Sequence, residues 1–228
     1  MAGQRKNGKP RTNRDAGVLV IGVGRFGSAI ALTLDALGQD VLAMERHEKT
    51  VAQWAGRFPI VQGDATDPEA LDQVGAGDFG VAVVGIATSL EASVLVTANL
   101  ADLGVPQIWA KATSVKHGKI LEKVGANHLV YPEWDSGARV AHLVSGKMLD
   151  YIEVEDGFTI VKMLPPQEMI GYSLTESNVR RRYGVTVIGV KTVGSPFRFA
   201  TAETQIRPTD TIVVSGTPQE LEHFAARD

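Results

Sequence analysis

From residue 18 to about residue 150, short apolar runs alternate with stretches whose apolar side chains recur at helical spacing. The runs cover residues 18–21, 40–44, 59–61, 81–84, 107–110 and 128–130. The stretches between and after them predict helices over 27–37, 48–56, 68–74, 90–103, 115–124 and 133–149. Strand–helix alternation of this kind builds βαβ units, and six such strands complete a doubly wound parallel sheet. Gly38, Gly75, Gly104 and Gly125 each follow a helical pattern, where a left-handed C-terminal cap favours glycine.

The texture changes after residue 150. Residues 151–154 and 158–164 are β-branched runs around "EDG", which predicts a hairpin. A helix over 175–183 follows, then strands over 185–192 and 198–199 separated by "GSP", a strand over 211–215 and a last helix over 218–226. The fold class is therefore α/β, a Rossmann-like doubly wound parallel sheet followed by a small α+β domain. The expected organisation is a disordered tail over 1–16, a nucleotide-binding domain over 17–150 and the α+β domain over 151–228. A domain as small as the last has a marginal core of its own, so stabilisation by dimerisation is expected.

Composition narrows the function classes. A net charge of −3 argues against a general nucleic-acid binder, which needs a clustered basic surface. The absence of cysteine excludes disulfides, thiol catalysis and cysteine-ligated zinc or iron–sulfur centres, and fits a cytoplasmic location. The longest apolar stretches, such as 81–87, fall well short of the roughly 20 residues that cross a bilayer. The basic N-terminus lacks the apolar segment of a secretory signal; it reads as a tail, with a tether to anionic lipid or a partner as the alternative.

Candidate chemistry gathers where strands end. Gly22, Gly24 and Gly27 form GxGxxG between a strand and a helix, the context in which the motif binds a dinucleotide or nucleotide phosphate. Gly22 permits the tight turn, Gly24 lets backbone N–H groups reach phosphate, and Gly27 allows close helix–strand packing. Between the last two sit Arg25 and Phe26. Glu45 ends the second strand, where a carboxylate accepts hydrogen bonds from ribose hydroxyls. Arg46 beside it hints at a 2′-phosphate, which the carboxylate would repel, so a plain adenosine ribose is favoured over NADP. Asp64 faces either the adenine or its own backbone in an Asx-turn or helix cap. Gly85, Ile86 and Ala87 follow the fourth strand, with Thr88 or Ser89 as a helix cap, and Lys111 ends the fifth strand as a ligand contact or a surface lysine. Glu133, after Pro132, reads equally as an acid in the first turn of a helix.

A dehydrogenase of this fold needs a substantial substrate domain and a positioned acid–base group. His117, His128 and His142 have no carboxylate partner at adjacent positions and read as surface or capping residues. No nucleophile elbow, Ser/His/Asp arrangement or HxxxH metal motif is present. The reading is a nucleotide site without visible chemistry, with a nicotinamide-dependent oxidoreductase as the enzymatic alternative.

Five ordered motifs, "GVGRFGSAIA", "GDATDPEAL", "IWAKATS…H…LEKVGA", "VYPEWDSG" and "NVRRRYGVTVIGVK", together resemble the RCK (regulator of potassium conductance) proteins, in particular the KtrA/TrkA-type cytoplasmic subunits of bacterial potassium-uptake systems. The likeness covers nearly everything after residue 17 and implies an RCK_N and an RCK_C domain. It implies ATP or ADP as ligand, with NAD(H) in other branches. The adenosine ribose falls on Glu45, with Arg46 beside it, and the adenine near Asp64, Ala65 and Thr66. The phosphates fall on Gly22, Val23, Gly24, Arg25, Phe26 and Gly27, and Gly85, Ile86, Ala87 and Lys111 complete the pocket. The likeness also implies homodimers that assemble into a homo-octameric ring on a membrane potassium-transporting subunit (KtrB/TrkH-like), peripheral to the inner face of the membrane. Within the dimer Arg25 would reach the terminal phosphate of the neighbour's nucleotide. Glu133 would help to hold a divalent cation or sodium at the dimer interface. Some relatives bind cyclic di-AMP between paired C-terminal domains, in the region of Ile170, Asn178, Val179 and Arg180.

Overall fold

The computed structural model describes residues 17–144, 148–155 and 157–226. The segment read as a tail, and Asp156 of the expected hairpin turn, lie outside the described residues. Two compact units divide between Glu133 and Trp134.

The first unit is a six-stranded parallel sheet in the order β3-β2-β1-β4-β5-β6. Its strands are β1 (Val18–Ile21), β2 (Val41–Glu45), β3 (Ile60–Gln62), β4 (Val81–Val84), β5 (Gln107–Lys111) and β6 (His128–Val130). Between them run α1 (Arg25–Ala36), α2 (Glu48–Trp54), α3 (Pro68–Gln73), α4 (Leu90–Asp102) and α5 (Val115–Lys123). Both faces of the sheet are covered, which is why its strands read as continuous apolar runs. In β1, Leu19 and Ile21 join one core with Leu71, Leu100 and Leu121, while Val20 joins the other with Ala31, Val41 and Phe58. Gly38, Gly75, Gly104 and Gly125 have positive φ, as the capping pattern predicts.

The second unit opens with most of α6 (Pro132–Val144) and continues as an antiparallel sheet in the order β10-β9-β11-β8-β7. Its strands are β7 (Met148–Glu155), β8 (Phe158–Met163), β9 (Thr186–Thr192), β10 (Arg198–Phe199) and β11 (Asp210–Gly216). The helices α7 (Leu174–Ser177), α8 (Val179–Tyr183) and α9 (Pro218–Ala225) accompany them. Its core gathers Met163, Met169, Ile206, Ile212, Val214, Leu221 and Phe224. Capping boxes open α7 at Ser173/Glu176 and α9 at Thr217/Glu220.

Three expectations are corrected. The helix predicted over 133–149 ends at Val144, and Met148 and Leu149 belong to β7; residues 145–147 of that prediction lie outside the described residues. Met148 is buried in the second core and Leu149 is exposed, so this apolar pair follows the alternation of a strand. The helix predicted over 175–183 is two short helices, because Asn178 adopts φ 49° between them and a left-handed residue ends an α-helix. His117, read as a surface or capping residue, is buried at 2% exposure with both ring nitrogens engaged.

Candidate functional site

In a parallel sheet every strand delivers its carboxyl end to one edge, and most candidate residues of the first unit lie there. Gly22 follows β1 with φ 84° and donates its N–H to the Met44 carbonyl at 2.9 Å. Gly85 follows β4 and donates to the Ile21 carbonyl at 2.7 Å. A Cβ on Gly27 would collide with the Gly22 carbonyl oxygen, whereas one on Gly24 would meet nothing within 4 Å. Gly27 is thus fixed by packing, and Gly24 faces open space.

Gly24 is the N-cap of α1 and supplies no side-chain hydrogen bond to it. The first turn also carries no acidic residue. Helix α1 therefore presents its N-terminal N–H groups and positive dipole end uncapped to the crevice, an arrangement suited to phosphate. Arg25 is exposed there; its carbonyl accepts from Ser28 Oγ at 3.3 Å, while its side chain has no hydrogen bond or ion pair among the described residues. Phe26 is half-buried against the Val20/Phe58 core, so its role is packing on that side.

Glu45 is held by the backbone on both carboxylate oxygens. Oε2 accepts from the N–H of Val23 at 2.9 Å, and Oε1 from the N–H of His47 at 3.0 Å. A carboxylate fixed in this way ties β2 to the glycine loop and keeps lone pairs for further donors. Arg46 is exposed, with its Nε 3.2 Å from His47 Nε2. Asp64 accepts from the N–H and hydroxyl of Thr66 at 3.0 and 2.7 Å, the Asx-turn alternative. Those hydrogen bonds, the hydroxyl's first, hold its carboxyl below the usual range, with Arg46 adding to the effect. The helix cap falls instead to Asp67, which accepts from Glu69. Ala65 is buried, and Thr66 is half-buried.

Asn99 was not legible as a site residue. From α4 its amide donates to the carbonyl of Thr66 at 3.1 Å, tying down the loop that carries Asp64. A polar side chain among the apolar residues of α4 is the only signal, and it does not say which loop is held. On the next loop Ile86 is half-buried, Ala87 is exposed, and Ser89 caps α4 by accepting from Ala92 at 3.1 Å.

Lys111 is no surface lysine. It is 7% exposed, its Nζ donates to Glu133 Oε1 at 2.6 Å, and it lies 5.7 Å from the centroid of the Phe26 ring. Glu133 itself is largely exposed. The hydrogen bond from Lys111 holds its carboxyl below the usual range, and Arg25 adds a smaller attraction. Arg25, Phe26, Lys111 and Glu133 thus form one cluster beside the start of α1. Among the described residues no group of three or more His, Cys, Asp or Glu could hold a metal ion. Ile170, Asn178, Val179 and Arg180 lie in the second unit. There Val179 is buried, Ile170 is half-buried, and Asn178 and Arg180 are exposed.

His117 stands behind the crevice. Its Nδ1 accepts from the N–H of Thr113 at 3.3 Å, which leaves the proton on Nε2, 2.9 Å from Ser93 Oγ. Ser93 in turn donates to the Leu90 carbonyl at 2.8 Å. Burial pushes the imidazole below its ordinary range. His128 bonds Gln107 and stacks on Trp109; His142 pairs with Glu222 and stacks on Tyr151. His47 Nε2 accepts from Arg46 Nε at 3.2 Å, and its backbone N–H holds Glu45.

No helix among the described residues is long and apolar enough to cross a membrane. The TrkA-N domain matches residues 18–132 and the TrkA-C domain residues 158–227. The Ktr system potassium uptake proteins A and C of Bacillus subtilis (strain 168) are each 34% identical to the chain. The matches cover 90% of this chain and 93% of protein A, and 91% and 95% for protein C. The GsuK channel bound to NAD shares the fold at TM-score 0.66 and 19% identity, over 93% of this chain and 40% of that one. GsuK bound to ADP aligns at TM-score 0.51 and 25% identity, over 58% of this chain and 35% of that one. With both domains present in order and that identity over nine-tenths of its length, the chain belongs to the KtrA/TrkA-type RCK proteins of potassium transport.

Proposed function

We propose that the chain is a nucleotide-sensing regulatory subunit of a potassium transport system, binding ATP or ADP and acting through a membrane transporter partner. The observation that carries this reading is the uncapped start of α1 beside Gly24, with Glu45 backbone-fixed at the neighbouring strand end. Phosphate sits over the helix N-terminus, the ribose hydroxyls on Glu45, and the adenine beside Asp64, Ala65 and Thr66. Gly22, Gly85, Ile86 and Ala87 line the floor. The chain's role is binding and switching, a reading supported by its likeness to the potassium uptake proteins A and C.

A switch needs two states that differ in affinity for its ligands. Arg25 supplies that difference by reaching the terminal phosphate of a nucleotide on a second copy of the chain, a contact present with ATP and lost with ADP. Helix α6 supports the dimer: none of its residues is buried, and Trp134, Val140 and Val144 are 78%, 51% and 76% exposed. Dimers of this kind close into an octameric ring on the cytoplasmic side of the transporter. A cation between two nucleotides takes Glu133 from each chain. Cyclic di-AMP between paired second units would meet Ile170, Asn178, Val179 and Arg180.

A second reading, an NAD(H)-sensing regulator, is compatible with the carboxylate at Glu45 and is favoured by the NAD bound to GsuK. Thermal unfolding with ATP, ADP, NAD and NADH separates the readings, because a ligand selective for the native state raises its stability. The proposal expects the largest rise with ATP or ADP. A rise with NADH alone replaces it with the second reading, and no rise with any of the four overturns both.

A further inference from the structure

Lys111 is a buried ammonium at the carboxyl end of β5, and the partner that holds it is a carboxylate of the same chain. A buried lysine is costly unless its charge is met by hydrogen-bonded anions. Glu133 meets it with one oxygen at 2.6 Å. The two residues are unequally housed, with side-chain exposures of 9% for Lys111 and 66% for Glu133. The lysine is enclosed by protein, while the glutamate reaches it from the solvent side.

The location of this pair gives it meaning. Lys111 Nζ lies 5.7 Å from the ring of Phe26, the second residue of α1. Arg25, one residue earlier, is close enough to Glu133 to lower its pKa. The end of the crevice that attracts anions therefore contains two cations, and one of them already holds an anion. We propose that Glu133 is a built-in competitor for the phosphate end of the ligand, a carboxylate latch on Lys111 that an incoming phosphate must displace. The inference rests on the nucleotide-sensing reading and deepens it: Lys111 becomes a phosphate ligand only when the latch opens, so ligands are selected by whether their phosphates reach it. The same displacement frees the Glu133 carboxylate for whatever approaches the crevice from outside.

Removing a negative charge near an anion site raises anion affinity by itself, so the test must separate displacement from simple charge removal. Glu133→Asp does this, since it keeps the charge and shortens the reach to Lys111 by one methylene. ADP binding is measured by titration calorimetry, without divalent cations, on the full chain and on the Glu133→Asp, Glu133→Gln, Lys111→Met and Lys111→Met/Glu133→Gln variants. Lys111→Met replaces a buried side chain by a neutral one of similar length, and Glu133 is exposed enough to change without loss of core. The latch predicts that Glu133→Asp and Glu133→Gln each tighten ADP by about fivefold, the equivalent of one modest ion pair. It also predicts that Glu133→Gln gives no gain in the Lys111→Met background. Equal gains in both backgrounds, no change with Glu133→Asp, or weaker binding with Glu133→Gln would overturn it. If no variant and no parent chain binds ADP, the nucleotide reading falls and takes the latch with it. ADP binding with any of the three contrary patterns removes the latch alone.

Discussion

Gly24 and Gly27 stand three residues apart in one loop, yet substitution at the two should separate binding from folding. A Cβ at Gly27 has no room beside the Gly22 carbonyl, so Gly27→Ala should destabilise the chain by about 2 kcal/mol or more, read as a lower denaturant midpoint. A Cβ at Gly24 meets nothing within 4 Å, so Gly24→Ala should leave the stability within about 0.5 kcal/mol while weakening ADP by about tenfold. His117 supplies a pH dependence of known sign. Its folded pKa lies below the free value of 6.5 because the ring is buried. The unfolded chain therefore takes up a proton that the folded chain refuses, so this contribution to stability is full above 6.5 and is lost as pH falls below it. The urea midpoint should drop between about pH 7.5 and about pH 5.5, and drop less in His117→Gln. The placement of the glycine motif after β1 and of Glu45 at the end of β2 was readable because it follows from strand and spacing. The hidden face of His117, the Lys111–Glu133 pair and the hold of Asn99 on Thr66 were not, because each joins segments that meet only in the folded sheet.

Among the elements, α6 and the α7–α8 junction make different demands on the sequence. The apolar spacing of α6 was legible, but its end was not, since Met148 and Leu149 fit a helical period until the second core claims Met148. A helix with no fully buried residue, only Leu143 packing partly against the second core, and with Trp134 and Val144 exposed, needs a covering surface. Replacing both by serine should shift the sedimentation coefficient from that of an assembly to that of a monomer, with the fold retained by circular dichroism. At the junction, Asn178 holds φ 49° with a side chain suited to that conformation. Asn178→Ala should cost about 1 kcal/mol in thermal stability and Asn178→Gly much less, since glycine visits the left-handed region freely. Asparagine appears in helices as well as at their ends, which is why the break was hidden in the "NVRRRY" run.

For the whole molecule, the order of strands and helices was legible apart from the split at Asn178, because each unit has its own core and each core its own period of apolar residues. The parallel sheet concentrates Gly22, Glu45, Gly85 and Lys111 at one edge through topology alone, so a nucleotide crevice follows from the βαβ pattern. The proposed switch depends on charges that local pattern cannot pair, Arg25 chief among them. The account turns on Arg25 reading a terminal phosphate, and the affinity ratio of ATP to ADP in the parent chain and in Arg25→Ala tests this most directly. The account predicts that the parent prefers ATP, and that the substitution lowers this preference by about tenfold with little change in ADP affinity. An unchanged ratio, or an equal loss for both nucleotides, would contradict it.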